Sequence, residues 1–186
     1  TATAVGGGAV ISFGTTTIER SAFLNNDAPV NGGGINVQPG GGVTISNSTI
    51  AGNVSGGLGG GMSNLGTVDV QSSTIANNTA TDGTAIATGN TDATFAGVII
   101  ADQSSAGGAC NPAGTAIVDA GYNLDTDGTC VSSTTPAEGS HNGTTAYGAS
   151  TYVEVLDSYL ADSPANNGGP TKTIALLNQP EPATAL

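Results

Sequence analysis

One pattern returns four times in this chain, and it constrains the fold more than any other feature. The segments TTIERSAFLNN (16–26), VTISNSTIAGN (43–53), VDVQSSTIANN (68–78) and ATFAGVIIADQ (93–103) begin 27, 25 and 25 residues apart. Set in register, Ile18, Ile45, Val70 and Phe95 form one apolar column, and Phe23, Ile50, Ile75 and Ile100 form a second. Asn26, Asn53, Asn78 and Gln103 close the copies. Glycine clusters at 6–8, 32–34 and 59–61, then a degraded GTAI at 83–86, separate them, and Ile35, Met62 and Ile86 follow as a third apolar column.

A repeat of this length, built from short alternating segments with no helical spacing, predicts an all-β solenoid, a right-handed parallel β-helix with coils of about 25 residues. One coil cannot bury its apolar columns. Stacking coils at about 4.8 Å buries them in a continuous interior and pairs each strand with its equivalent in the next coil. Glycine and asparagine are expected at the corners, where φ turns positive. The Asn/Gln column is expected to form a stacked amide ladder. Stacked identical charges would repel, so outward positions are expected to carry Thr, Ser and Gln.

Composition agrees with that reading and removes several functions. Charged residues make up only 9% of the 186, and two cations, Arg20 and Lys172, face 14 acids for a formal charge of −12. Such a chain has no basic surface to neutralise phosphates or anionic headgroups, so neither nucleic acid nor a membrane surface is an expected partner. No apolar run reaches the roughly 18–20 residues of a membrane span; AGVIIA at 96–101 is the most apolar stretch. The opening TATAVGGG has no leader character, which reads as a processed or excised chain.

The copies resemble those of right-handed parallel β-helix proteins of bacterial surfaces, the polymorphic outer-membrane and choice-of-anchor type. That resemblance covers residues 6–103. GYNLDTDGTC (121–130) and YLADSPANNGGPTKTIALL (159–177) are similar to the closing region of the same group, although the final NQPEPATAL departs from its tail. The organisation that follows is an extended N-terminal segment (1–5), β-helix repeats (6–103), and a closing region (104–186) that continues or caps the solenoid. The resemblance implies an extracellular, cell-surface location.

Some parallel β-helices act on polysaccharides, which requires carboxylates converging on one strand face. Here Glu19 aligns with Ser46 and Gln71, and Asp69 with Thr44 and Thr17, so no carboxylate sits above another. His141, the one histidine, lies in a glycine-rich stretch without a readable partner. No catalytic residue is assigned and no enzyme is expected. NLDTDG offers Asn123, Asp125 and Asp127 as alternate oxygen ligands before a turn glycine, but the glutamate of a full calcium loop would fall at Thr134. It reads either as an Asx-rich turn or as a partial calcium site; no other cofactor is expected. Cys110 and Cys130 are expected to form a disulfide, worth roughly 3 kcal/mol by closing a loop of this length. Sequons occur at Asn47, Asn53, Asn77 and Asn142. The first two fall at corners, where inward amides would be unavailable, which leaves Asn142 as the better glycosylation candidate.

The expected function is that of an extracellular structural protein that self-assembles head-to-tail into a filament or surface layer. Its partners would be copies of itself, or other surface proteins and glycans. The uncharged, β-prone Thr1, Ala2, Thr3, Ala4 and Val5 are the candidate assembly segment, available as a donated strand. The alternative is an adhesin or carbohydrate-binding passenger solenoid.

Overall fold

The computed structural model describes residues 8–89, 92–101, 108–112, 117–131, 137–138, 140–142, 146–147, 150–151, 164–166 and 171–174. Thr1–Val5 and Gln103 lie outside the described residues, as does the side chain of Asn142. The chain is an all-β parallel solenoid, with no helix among the described residues.

Each rung contributes one strand to each of three parallel sheets. The first sheet stacks Val10–Ser12, Ile35–Val37, Met62–Asn64, Ile86–Thr88 and Cys110–Pro112. The second stacks Thr15–Glu19, Gly42–Ser46, Thr67–Gln71, Ala93–Ala96 and Val118–Asp119. The third stacks Ala22–Leu24, Thr49–Ala51, Thr74–Ala76, Ile99–Ala101, Leu124–Asp125 and His141–Asn142. A shorter pair, Asp27–Ala28 with Val54–Ser55, closes the first two rungs.

The register matches the repeat. Ile18, Ile45, Val70 and Phe95 are partners in the second sheet and buried. In the third sheet Ile50, Ile75 and Ile100 are buried, and Phe23 is half-buried at the end of the stack. Ile35, Met62 and Ile86 form the third column, which Val10 extends at one end and Cys110 at the other. Alternation explains the sorting: in TVDVQ, Val68 and Val70 point inward while Thr67 and Gln71 are exposed.

The corners use positive φ without β-branched residues. Arg20, Asn47, Ser72, Gly97 and Tyr122 form one corner column at φ 46–65°, and Asn25, Gly52 and Asn77 form another at 55–66°. A left-handed residue costs about 1–2 kcal/mol without glycine. At the first corner that cost is offset by bonds along the axis, such as Arg20 N to Ser46 O at 3.1 Å and Ser72 N to Ala96 O at 2.9 Å. The glycine clusters serve both needs: Gly32, Gly59 and Gly83 form a further left-handed column at φ 61–69°, and their neighbours permit close packing. A Cβ on Gly60 would lie 2.6 Å from Thr84 O and 2.8 Å from Thr79 N.

Two side-chain ladders run along the axis. Asn26 Nδ2 donates to Asn53 Oδ1 at 2.8 Å and Asn53 Nδ2 to Asn78 Oδ1 at 2.9 Å, while the backbone N–H groups of Asn26 and Asn53 bond to the same oxygens. The second ladder shows that serine also serves the interior, beside the outward Thr44, Ser46 and Gln71. Ser48 and Ser73 are buried, and their hydroxyls accept the N–H groups of Ser21 and Ser48 at 3.0 Å. Asn123 continues this ladder by accepting from Val98 N at 2.9 Å. A small hydroxyl satisfies the N–H that follows a left-handed corner, which apolar periodicity does not reveal.

Candidate functional site

The two ends of the solenoid differ, and that difference is its most distinctive chemistry. At the N-terminal end Val10–Ser12, Thr15–Glu19 and Ala22–Leu24 are the outermost strands of their sheets among the described residues. Each ladder is directional: a backbone N–H in one rung donates to a side-chain oxygen in the next. Ser21 Oγ and Asn26 Oδ1 are therefore the terminal acceptors. Ser21 Oγ donates to Glu19 O at 2.8 Å, and no described N–H of a preceding rung reaches either oxygen. Ile11 and Phe13 beside this edge are 41% and 72% exposed.

At the other end the sheets are closed by side chains. Asp127 Oδ2 accepts from Ala109 N at 2.7 Å and Thr129 Oγ1 from Cys110 N at 2.9 Å, which ends the first sheet. Asp119 lies on the outermost strand of the second sheet. It accepts from Ala137 N at 2.8 Å, Ser140 Oγ at 2.7 Å, Asn123 Nδ2 at 2.7 Å and Gly121 N at 3.1 Å. Among the described residues only the third sheet runs one rung further, to His141–Asn142.

Asp125 stands at a position held by isoleucine in the preceding rungs, next to Ile100, and is buried. Its Oδ2 accepts from Cys130 N at 2.8 Å and Val131 N at 2.9 Å, and its Oδ1 from Asp127 N at 3.3 Å. Burial, with Asp127 nearby, pushes its carboxyl up to about 6 even though these N–H groups favour the ionised form. Burial also raises Asp119, but its four donors outweigh that and hold it below the usual carboxylate range. The disulfide joins Cys110, in the interior column, to Cys130, five residues beyond Asp125.

Each of the three calcium-candidate residues spends its side chain on protein partners. Asn123 uses its amide on Val98 N, Phe95 O and Asp119, while Asp125 and Asp127 turn to different backbone segments. Among the described residues no group of three or more His, Cys, Asp or Glu is placed to hold a metal ion. In this structure the two aspartates cap the end of the solenoid, a task that the sequence reading does not assign to them. DAGYNLDTDGT carries no periodic signal for it. The sequon reading needs one correction. Asn53 is buried within the amide ladder, but Asn47 is exposed because its left-handed corner turns the side chain outward.

Outside the second sheet, Thr15, Thr44, Thr67, Asp69, Asp92 and Thr94 line an open groove of about 360 Å³. Asp69 lies between Thr44 and Thr94 in register, and Glu19 lies beside Ser46. Among the described residues no helix is long and apolar enough to cross a membrane. Comparison with protein-family models, with curated proteins and with solved structures finds no match.

Proposed function

We propose that this chain is a structural protein of a bacterial exterior that polymerises head-to-tail through its N-terminal rung. The supporting observation is the asymmetry of the ends. Among the described residues, one end offers three sheet edges with Ser21 Oγ and Asn26 Oδ1 as terminal ladder acceptors, and the other is largely closed by aspartates and a disulfide. Sheet edges left open attract another chain, and solenoids usually cover them. A second copy bringing its closing end and an extended segment to that rung extends the ladders by a contact that does not close on itself, which produces a filament. The sequence resemblance to surface β-helices and the disulfide support an extracellular setting.

Electron microscopy and sedimentation of the full chain test this reading. Long polymers are expected, growing more readily as salt screens the −12 charge. Deleting Thr1–Val5 should abolish them while leaving the β-rich circular dichroism intact. A chain that stays monomeric at high concentration, or a truncated chain that polymerises unchanged, overturns the mechanism.

The groove of threonines and aspartates favours a second reading, a carbohydrate-binding passenger, because hydroxyl and carboxylate groups in register suit sugar hydroxyls. Glycan-array binding that is lost in Asp69→Ala would favour it over a purely structural role.

A further inference from the structure

One corner of the solenoid carries opposite charges at its two ends. Along this corner the N–H of each left-handed residue bonds to the carbonyl of the residue just before the next corner. Arg20 bonds to Ser46 in this way, Gly97 to Gly121 and Tyr122 to Glu138. Glu138 therefore holds, one rung beyond Tyr122, the place that Glu19 holds in the first rung, and it is exposed. At the opposite end of the column stands Arg20, the only cation in the repeats. Its side chain is 73% exposed, and its one ion pair among the described residues is a 3.8 Å contact with the adjacent Glu19.

The third sheet runs beside this corner and is the one that continues past the caps. His141 N donates to Asn123 O at 2.7 Å, as Leu124 N does to Val98 O and Thr49 N to Ser21 O. Ser140 accepts from Asn123 N in the serine ladder, so its carbonyl is the next acceptor of this series. Ala22, the register partner of Thr49, supplies the matching N–H on the open edge of the first rung. The first and second sheets end instead on side chains of Asp127, Thr129 and Asp119.

We infer, resting on the end-to-end reading above, that the joint between two copies seats Ala22–Leu24 of one on His141–Asn142 of the other, and that Arg20 closes it by bridging its own Glu19 to the Glu138 of the other copy. In that register Ala22 N–H meets Ser140 O, and the rung spacing of about 4.8 Å runs on across the joint. The same register stacks Glu138 on Glu19, and two carboxylates directly opposite repel. Arg20 removes that penalty. It follows Glu19 at the corner, and a guanidinium has five N–H donors in a planar fork, enough to serve two carboxylates. Overall charge does not select this contact, because each copy carries −12. The selection is local and polar: at this corner a head-to-head contact sets arginine against arginine, and a tail-to-tail contact sets glutamate against glutamate.

Charge exchange separates this joint from end-to-end growth in general. The lowest protein concentration that gives sedimentable polymer is measured for the full-length native chain, R20E, R20E/E138R and R20E/D92R, with circular dichroism confirming the fold of each. R20E should need about tenfold more protein or more. Both double variants return the formal charge to −12. Only R20E/E138R rebuilds the pair, so it alone should polymerise within a few-fold of the native chain. If R20E polymerises like the native chain, or the exchange at Asp92 rescues as well as that at Glu138, the joint is overturned while end-to-end growth stands. A native chain that forms no polymer at any concentration overturns both.

Discussion

Asn53 donates its amide to Asn78 at 2.9 Å, and the two residues stand 25 apart in sequence and one rung apart in space. The Asn53 oxygen also accepts the backbone N–H and amide of Asn26, and its nitrogen also reaches Phe23 O at 3.0 Å. One buried side chain thus satisfies polar groups in the rungs on either side. Asn53→Ala leaves several of them without partners, at about 1–3 kcal/mol for each that water cannot reach. Urea unfolding should show a loss of about 2–5 kcal/mol, against about 1 kcal/mol or less for the exposed Asn47→Ala. Equal losses would show that the ladder contributes nothing.

Inward and outward positions of one strand should respond differently to the same charge. Ile45 is fully buried between Ile18 and Val70, while the adjacent Thr44 is exposed. Ile45→Asp buries an unpaired carboxylate and should cost several kcal/mol, enough to unfold a marginal solenoid. Thr44→Asp should change stability by about 1 kcal/mol or less, including repulsion from its register partner Asp69. Thermal melts of the two variants compare them directly.

The cysteine pair should resist mild reductant in the native protein. Cys110 and Cys130 are 2% and 5% exposed, so thiol attack requires the closing turn to open. Alkylation and mass spectrometry should find no free thiol under native conditions and two after unfolding with reductant. Replacing both with serine should cost about 2–4 kcal/mol and loosen 125–131 before the sheets. Hydrogen exchange would locate that loosening.

The sequence made the interior legible because the rungs keep nearly constant length. Ile45, Val70 and Phe95 are 25 apart and are partners in the structure. It failed where one residue substitutes chemically for another in a column. Cys110 takes the place of Ile86 after 24 residues, and Asp125 that of Ile100 after 25. A cysteine or aspartate carries no apolar signature, so the continuation of the columns past Ile100 was invisible. Ser48 and Ser73 were missed for a related reason: a buried hydroxyl that bonds an N–H looks, in sequence, like an exposed one.

The closing end should make stability peak on the acid side of neutrality. Asp125 has a folded-state pKa of about 6, above the ordinary value of 3.8. The folded state therefore holds that proton more tightly than the unfolded chain. The resulting stabilisation is fully present below about pH 4 and is lost as pH rises through 6; the shift is worth on the order of 3 kcal/mol. Asp119 acts in the opposite sense. Its pKa is lowered, so its contribution is present above the unfolded value and is lost as pH falls through the folded one. Falling pH should first strengthen the fold between about 7 and 4.5 and then weaken it once Asp119 takes up a proton. Melting temperatures across that range check the shape. Asp125→Asn keeps an oxygen for Cys130 N and Val131 N but cannot titrate, so it should flatten the rise from pH 7 to 4.5 and leave the acid fall in place. A variant that retains the full rise would move the effect to another group.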